Sequence, residues 1–290
     1  MASGTPPNPS TTSPDGAERS EQQPALKRAI EQDAPLGMIP RLEHQWSHDR
    51  VFEIVQPPQV MVKLQTARRI AKLGRTARSH FHPDTTVITT TTTDDAELAR
   101  TSREHEWAVV KEFQPDYHIP ADHSTYESQD EETRAQQAAK CLSGTIWMRD
   151  KISNNADCFS GNPPEIIPLI KGTTEEERRP FYELAQNIGA PMAVFYAAQY
   201  FTRGNKILQL LDDLENIDNN APDNLPLGLI GLLAPNRLKQ CPDRVVASAG
   251  FTGWFSDISP RKDSPKEVTE SFESTAAEVH DALDTPVNFR

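Results

Sequence analysis

The stretch EIIPLIKGTTEEERRPFYELAQNIGAPMAVFYAAQ, Glu165–Gln199, decides the fold. EIIPLIKG (Glu165–Gly172) is apolar on both alternations, as a strand buried on both faces must be. TTEEERRPFYELAQNIG (Thr173–Gly189) opens with Thr and three Glu and stops at Gly, the start and stop signals of a helix. PMAVFYAAQ (Pro191–Gln199) is again an apolar strand. Two such strands joined by a helix are too far apart in sequence for a hairpin, so they predict a parallel βαβ crossover of right-handed sense.

The same rhythm extends outward. Towards the N-terminus, helices are expected at Val60–Gly74, Asp94–Phe113 and Asp130–Ile152, and strands at Val51–Val55, Thr85–Thr92 and Asp116–Asp122. Towards the C-terminus follow a helix at Gly204–Ile217, a strand at Leu225–Leu233, a short helix in APNRLKQCP and a strand at Arg244–Gly250. Seven strands alternate with helices, which places the chain in the α/β class with a parallel sheet. An open, doubly wound sheet needs no further strand. A closed (β/α) barrel needs an eighth, with Met38–Leu42 and the region of Trp254 as the two places for it. The barrel is the expected architecture, because polar residues follow strand after strand around the whole series rather than at one switch point. It occupies residues 38–258, between an N-terminal tail (1–37) rich in Pro, Ser, Thr and Gln and a polar C-terminal tail (259–290) with room for one short helix around Glu267–Leu283.

Charge and composition restrict the partners. Forty-two acidic and 30 basic residues give a net charge of −12, which repels a phosphate backbone, so DNA or RNA could approach only through a local basic patch. This acidic balance fits a salt-adapted protein or an ordinary acidic cytosolic one. Three widely spaced cysteines, Cys141, Cys158 and Cys241, define neither a disulfide framework nor a zinc cluster. No basic-then-apolar leader opens the sequence and no run reaches the ~20 apolar residues of a membrane span. A cytoplasmic protein without a membrane contact is expected, with a partner protein or a second copy as the other candidate partner.

Active sites of β/α barrels form where strands end. Those ends supply Gln56, Thr91–Asp95, Asp122 with His123, Lys171 with Gly172, Gln199, the Leu233–Ala234 turn and Phe251–Trp254. Asp122 can act as a base or hold a heterocycle edge, or it can cap the following turn. Asp94 and Asp95 can supply a general base or nucleophile, or an N-cap. Lys171 and Gly172 can take an anion or a carbonyl oxygen. His44, His48, His80 and His82 are the one candidate metal set. No Cys or carboxylate at ligand spacing joins them, so scattered surface histidines and no metal are expected. No phosphate loop and no dinucleotide fingerprint is present, so no cofactor is assigned.

Between about Thr85 and Gly250 the order of segments resembles the tRNA-guanine transglycosylase superfamily, including the deazaguanine transferases that act on DNA in bacteria, archaea and their viruses. PDYHIPADHSTYES resembles the family strand ending in a purine-contacting Asp, which implies that role for Asp122. EIIPLIKG is similar to the strand ending in Gln-Gly, with Lys171 in place of Gln and Gly172 retained. PMAVFYAAQ stands where the family has its Gly-Gly-Leu strand, and LPLGLIGLLAPNRL resembles the strand and turn before the last repeat. The resemblance implies a barrel handling a purine or deazapurine base in DNA or RNA by pentosyl transfer. Asp122, with Asp94 or Asp95, would be catalytic, and His123, Lys171, Gly172 and Gln199 would bind substrate. The chain departs from the pattern where Asp-Ser-Gly-Gly-Phe is replaced by TTTTTDDAE, where the last strand runs ASAGFTGW with no acid before Asp257, and where the zinc ligands are lacking. A barrel that only binds a ligand or a partner subunit is the alternative.

Overall fold

A computed structural model describes residues 23–286 except 44, 127, 203 and 260, with side chains undescribed at 45–49. All strand pairings are parallel, and the sheet order is β5-β4-β3-β2-β1-β9-β8-β7-β6. The strands are β1 (Gly37–Leu42), β2 (Gln59–Lys63), β3 (Thr86–Thr90), β4 (Tyr117–Ile119), β5 (Glu165–Ile166), β6 (Leu169–Ile170), β7 (Ala193–Tyr196), β8 (Leu227–Ile230) and β9 (Val245–Gly250). The two ends of that order, β5 and β6, are halves of one extended run separated by Ile167 and Pro168. The run bonds to β4 on one side, with Ile167 N–H donating to His118 O at 3.0 Å. On the other side Val194 N–H donates to Pro168 O at 2.9 Å. The ladder therefore returns on itself, and the nine segments make eight staves of a barrel.

The helices follow in the expected alternation. They are α2 (Gln45–Val55), α3 (Leu64–Lys72), α4 (Ala77–His80), α5 (Asp95–Leu98), α6 (Arg103–Phe113), α7 (Glu131–Asn154), α8 (Glu175–Asn187), α9 (Ile207–Asn220), α10 (Pro235–Leu238) and α11 (Thr252–Phe255). Two more flank the barrel, α1 (Pro24–Glu31) and α12 (Pro265–Ala282). Local sequence explains their limits. Thr174 Oγ1 accepts from Glu177 N–H at the start of α8, and Gly189 leaves it in the left-handed region at φ +65°. Gly74 at φ +72° ends α3 in the same way.

Period-two alternation divides each strand between two cores. Ile39, Met61, Ile88, Ile119, Leu169, Val194, Ile230 and Ala247 fill the barrel interior. Val60, Val62, Val87, Ile166, Phe195 and Val245 face the helix layer. Ala29 and Ala34, on and after α1, belong to the interior group, so α1 closes the N-terminal mouth of the barrel. Arg28 donates to Ala190 O at 2.9 Å, and Tyr117 Oη donates to Asp33 O at 3.1 Å, fixing that plug.

Several expectations are corrected. Val51–Val55 is the last part of helix α2, not a strand. Val51 and Phe52 are buried and Glu53 is exposed, and five residues are too few for period to separate the two structures. The helix expected from Val60 begins at Leu64, because QVMVK is strand β2, with Val60, Met61 and Val62 buried on its two faces. The helix expected over Asp94–Phe113 is two, α5 and α6. Met38–Leu42 supplies the eighth stave, within β1. The stretches read as tails contribute α1 and α12, and α12 buries Val268, Phe272, Ala276 and Val279 against the barrel. Residues 1–22 lie outside the described residues. The three cysteines are free, and no helix among the described residues is long and apolar enough to cross a membrane.

One backbone position tests how tightly the staves pack. Gly231, at the end of β8, has φ +97°, and a Cβ there would lie 2.4 Å from Ala198 Cβ and 2.8 Å from Ala198 Cα. Gly231→Ala is expected to lose about 1–3 kcal/mol in urea unfolding, from overpacking on top of left-handed strain. An unchanged midpoint would show that the Ala198 turn yields instead.

Candidate functional site

The inner row of each strand changes character at its C-terminal end. On β1 it runs Ile39, Arg41 and then Glu43. On β2 it runs Met61 and then Lys63, and on the closing stave Ile167, Leu169 and then Lys171. Apolar layers below and ionisable groups above give a cavity of about 960 Å³ at the C-terminal mouth, within the size range of small-molecule sites. Arg41, Lys63, Asp122, Lys171, Tyr196 and Phe251 are among its walls.

The charges there are paired. Asp122, beyond β4, and Lys171, beyond β6, form a close ion pair, each 7% exposed as a residue. Burial alone would lower the Lys171 ammonium, but Asp122, with a contribution from nearby Cys141, outweighs it and holds the group above its ordinary range. Lys171 is thus a fixed cation and not a neutral amine nucleophile. Glu43 bridges Arg41, at 3.1 Å from Nε, and Lys63. Arg41 Nη2 also donates to Thr92 O at 2.6 Å, tying β1 to the end of β3. Asp213 pairs with Arg178 and accepts from Tyr200 Oη.

Asp122 is held from behind as well. Its N–H donates to Thr91 Oγ1 at 2.9 Å. The preceding residue, Ala121, has φ +53°, and its N–H donates to Glu106 Oε1 at 3.1 Å. Glu106 is 2.8 Å from His118 Nε2, and His118 Nδ1 is 2.8 Å from Thr89 Oγ1. Thr89, His118 and Glu106 have the residue types of a hydrolytic triad. They lie buried between the sheet and α6, away from the cavity, and they serve to fix the turn that carries Asp122.

Asp94 and Asp95 divide the roles expected of them. Asp94 accepts from Glu97 N–H at 3.0 Å and caps α5. Asp95 reaches across to the β4 loop, where Ser124 Oγ and Tyr126 Oη donate to it, the latter at 3.0 Å. Burial, and the bond to Asp95, raise the Tyr126 phenol above its ordinary value. Both carboxylates line the cavity.

The other expected residues distribute as follows. Gln199 lines the cavity on the turn after β7. Gly172 also lines it, but its φ of +109° and the 2.5 Å between an added Cβ and Glu177 Cβ make it first a backbone requirement. His123, expected as a binding residue, is not among the residues that line the cavity. Asp122 faces the mouth, and the next residue sits towards α7, where Cys141 contacts its carbonyl oxygen. Burial, then Lys140, lowers the His123 imidazole, so it is neutral near pH 7. Gln56 follows helix α2 and is not at a strand end. Asp257 and Trp254 do not line the cavity. His44 and the side chain of His48 lie outside the described residues. His82 is 3.9 Å from Asp84, and no group of three or more metal-ligating side chains occurs among the described residues.

Arg41, Glu43, Lys63, Tyr126 and Tyr196 were not foreseen as site residues. Alternation through GMIPRLE and QVMVK would have put Arg41, Glu43 and Lys63 on the inner rows once those strands were recognised. Nothing in the sequence marks Tyr126 as the partner of Asp95, 31 residues away. No protein-family model matches the chain, and no curated protein matches it.

Proposed function

We propose that the rim cavity binds a purine or deazapurine base and that the protein is a divergent, transglycosylase-like barrel in which Asp95 is the attacking carboxylate. One observation carries the reading. Asp122, Glu43 and Asp213 each face a cation, whereas Asp95 is held by the neutral hydroxyls of Ser124 and Tyr126. Both hydroxyls bond the same oxygen, Oδ1, so the carboxylate is aimed by neutral groups rather than by a cation. Asp122 and Lys171 present an acceptor and a donor side by side for a heterocycle edge, and Tyr196 and Phe251 provide apolar wall.

In base exchange, an Asp95 oxygen bonds to the anomeric carbon of the sugar as the glycosidic C–N bond breaks. The electron pair leaves with the departing base, which takes a proton from solvent. The incoming base then displaces the carboxylate and loses its own proton. Asp95→Asn is expected to abolish incorporation of labelled guanine or 7-deazaguanine into a nucleoside. Binding of the free base by calorimetry should change less than about threefold, because hydroxyl contacts survive the substitution. Retained incorporation in Asp95→Asn removes Asp95 from the attacking role.

A second reading, that the barrel binds a base without transforming it, is favoured by the end of β9. There Gly250, Phe251 and Gly253 line the cavity and no acid does. Base binding without exchange in the unsubstituted protein selects it.

A further inference from the structure

We infer that the ligand of the rim cavity carries no phosphate, and that the base is taken as the free heterocycle or its nucleoside rather than within a nucleotide or a nucleic-acid strand. This rests on the base-binding reading above and narrows it. Among the described residues the cavity walls hold four cations, Arg41, Lys63, Lys171 and Lys206, against five carboxylates. Arg41 and Lys63 are both committed to Glu43 and Lys171 to Asp122, while Lys206 is itself engaged by a neighbour. At Arg41, Lys63 or Lys171 a phosphate would have to displace a carboxylate from the cation it used.

The helices around the mouth give a second, independent argument. In a β/α barrel the helix N-termini at this face are natural phosphate sites, because unpaired N–H groups and the helix dipole favour an anion. Those of α5, α7 and α8 are already answered by their own side chains, whereas α9 and α11 carry no acidic residue in their first turns. The first turn of α5 holds Asp95 and Glu97, that of α7 holds Glu131 and Glu132, and that of α8 holds Glu175, Glu176 and Glu177. Their cap N–H groups are taken by Asp94, Asp130 and Thr174. These carboxylates complement the positive ends of their helices, so those ends attract an anion less than bare ones would. The net charge of −12 repels a polyanion at longer range in the same sense.

Calorimetric titration of the full chain with guanine, guanosine and guanosine 5′-monophosphate at low salt tests this. A parallel anisotropy titration uses a fluorescein-labelled single-stranded DNA. Guanine or guanosine is expected to bind, the monophosphate to bind at least about tenfold more weakly than guanosine, and the DNA to show no saturable binding. Replacing Glu131 and Glu132 together by Gln is expected to recover about two- to threefold of the monophosphate's deficit, and raising the salt to shrink it. Monophosphate or DNA binding as tight as guanosine, weakening as salt rises, overturns the inference and leaves the base-binding reading standing. If none of the four ligands binds, the base-binding reading fails and this inference with it.

Discussion

Lys171→Met is expected to cost about 3–5 kcal/mol of unfolding free energy, because it strands the Asp122 carboxylate in a site nearly closed to water. Both residues are 7% exposed, and Asp122 is pinned by Thr91 and by the Glu106-anchored Ala121 turn, so it cannot swing out to solvent. The double variant Asp122→Leu with Lys171→Met is expected to regain most of that loss, since an apolar pair of similar volume carries no desolvation penalty. Urea unfolding of the two variants and the parent gives the comparison. A single-variant loss below about 1 kcal/mol would mean that the pair behaves as a solvated surface bridge. The pH dependence has a definite sign. The Lys171 ammonium is held above its ordinary value near 10.5, so its contribution is complete below that value and lost as pH rises through the elevated one. The part of the gap between parent and Lys171→Met that Lys171 supplies should therefore hold at neutral pH and be lost in alkali.

Removing everything after Ser259 is expected to abolish cooperative unfolding altogether. That deletion takes away α12, whose Val268, Phe272 and Val279, with the following Leu283, are 0–8% exposed. Phe272 packs edge-on to Trp254 at 5.9 Å between ring centroids, and Trp254 is fully buried. At about 1.5–3 kcal/mol for each of those four side chains, the lost burial is comparable with the whole stability of a domain, about 5–15 kcal/mol. Phe272→Ala gives the graded version, with an expected loss of about 3–5 kcal/mol. Circular dichroism melts distinguish the outcomes. A truncated chain with a sharp transition near the parent's would show that α12 is a covering and not part of the core.

How far these features were legible in the sequence differed by element. The parallel α/β rhythm was plain from Glu165 to Gln199, because apolar strands and a helix with a Thr cap and a Gly stop need no tertiary information. The first staves were harder. Pro40 lies inside β1, where a missing N–H argues against a central strand, and QVMVK runs directly into α3 with no intervening turn. Val51–Val55 looked like a strand because its apolar residues are nearly continuous, and only burial on one helix face resolved it. The terminal helices were masked by their composition. Both are polar overall and amphipathic, and what they bury depends on β1 and the barrel mouth, which lie far away in sequence.

Within the cavity, strand-end reasoning anticipates the lining residues Asp122, Lys171, Asp95 and Gln199. It could not pair Asp122 with Lys171, or Asp95 with Tyr126, since those contacts arise only when neighbouring staves come into register. It misses Lys63 along with strand β2, and it does not carry Met38–Leu42, the candidate eighth strand, through to Arg41 on its inner row. His123 follows Asp122 at the same strand end, and neighbours in an extended segment put their side chains on opposite sides.

Strand β1 sits between β2 and β9, with Gly37 opposite Ala247 and Met38 opposite Ser248. His280 of α12 abuts Gly37, where an added Cβ would fall within its ring. On an elongating chain, then, the first stave emerges long before the neighbours that complete it. Until Val245–Gly250 has been made, one edge of β1 has no partner strand, and the plug formed by α1 has no finished mouth to close. Barrel closure is consequently a late, long-range event, slow by its topology, and half-made chains carry an open sheet edge that invites pairing with other chains.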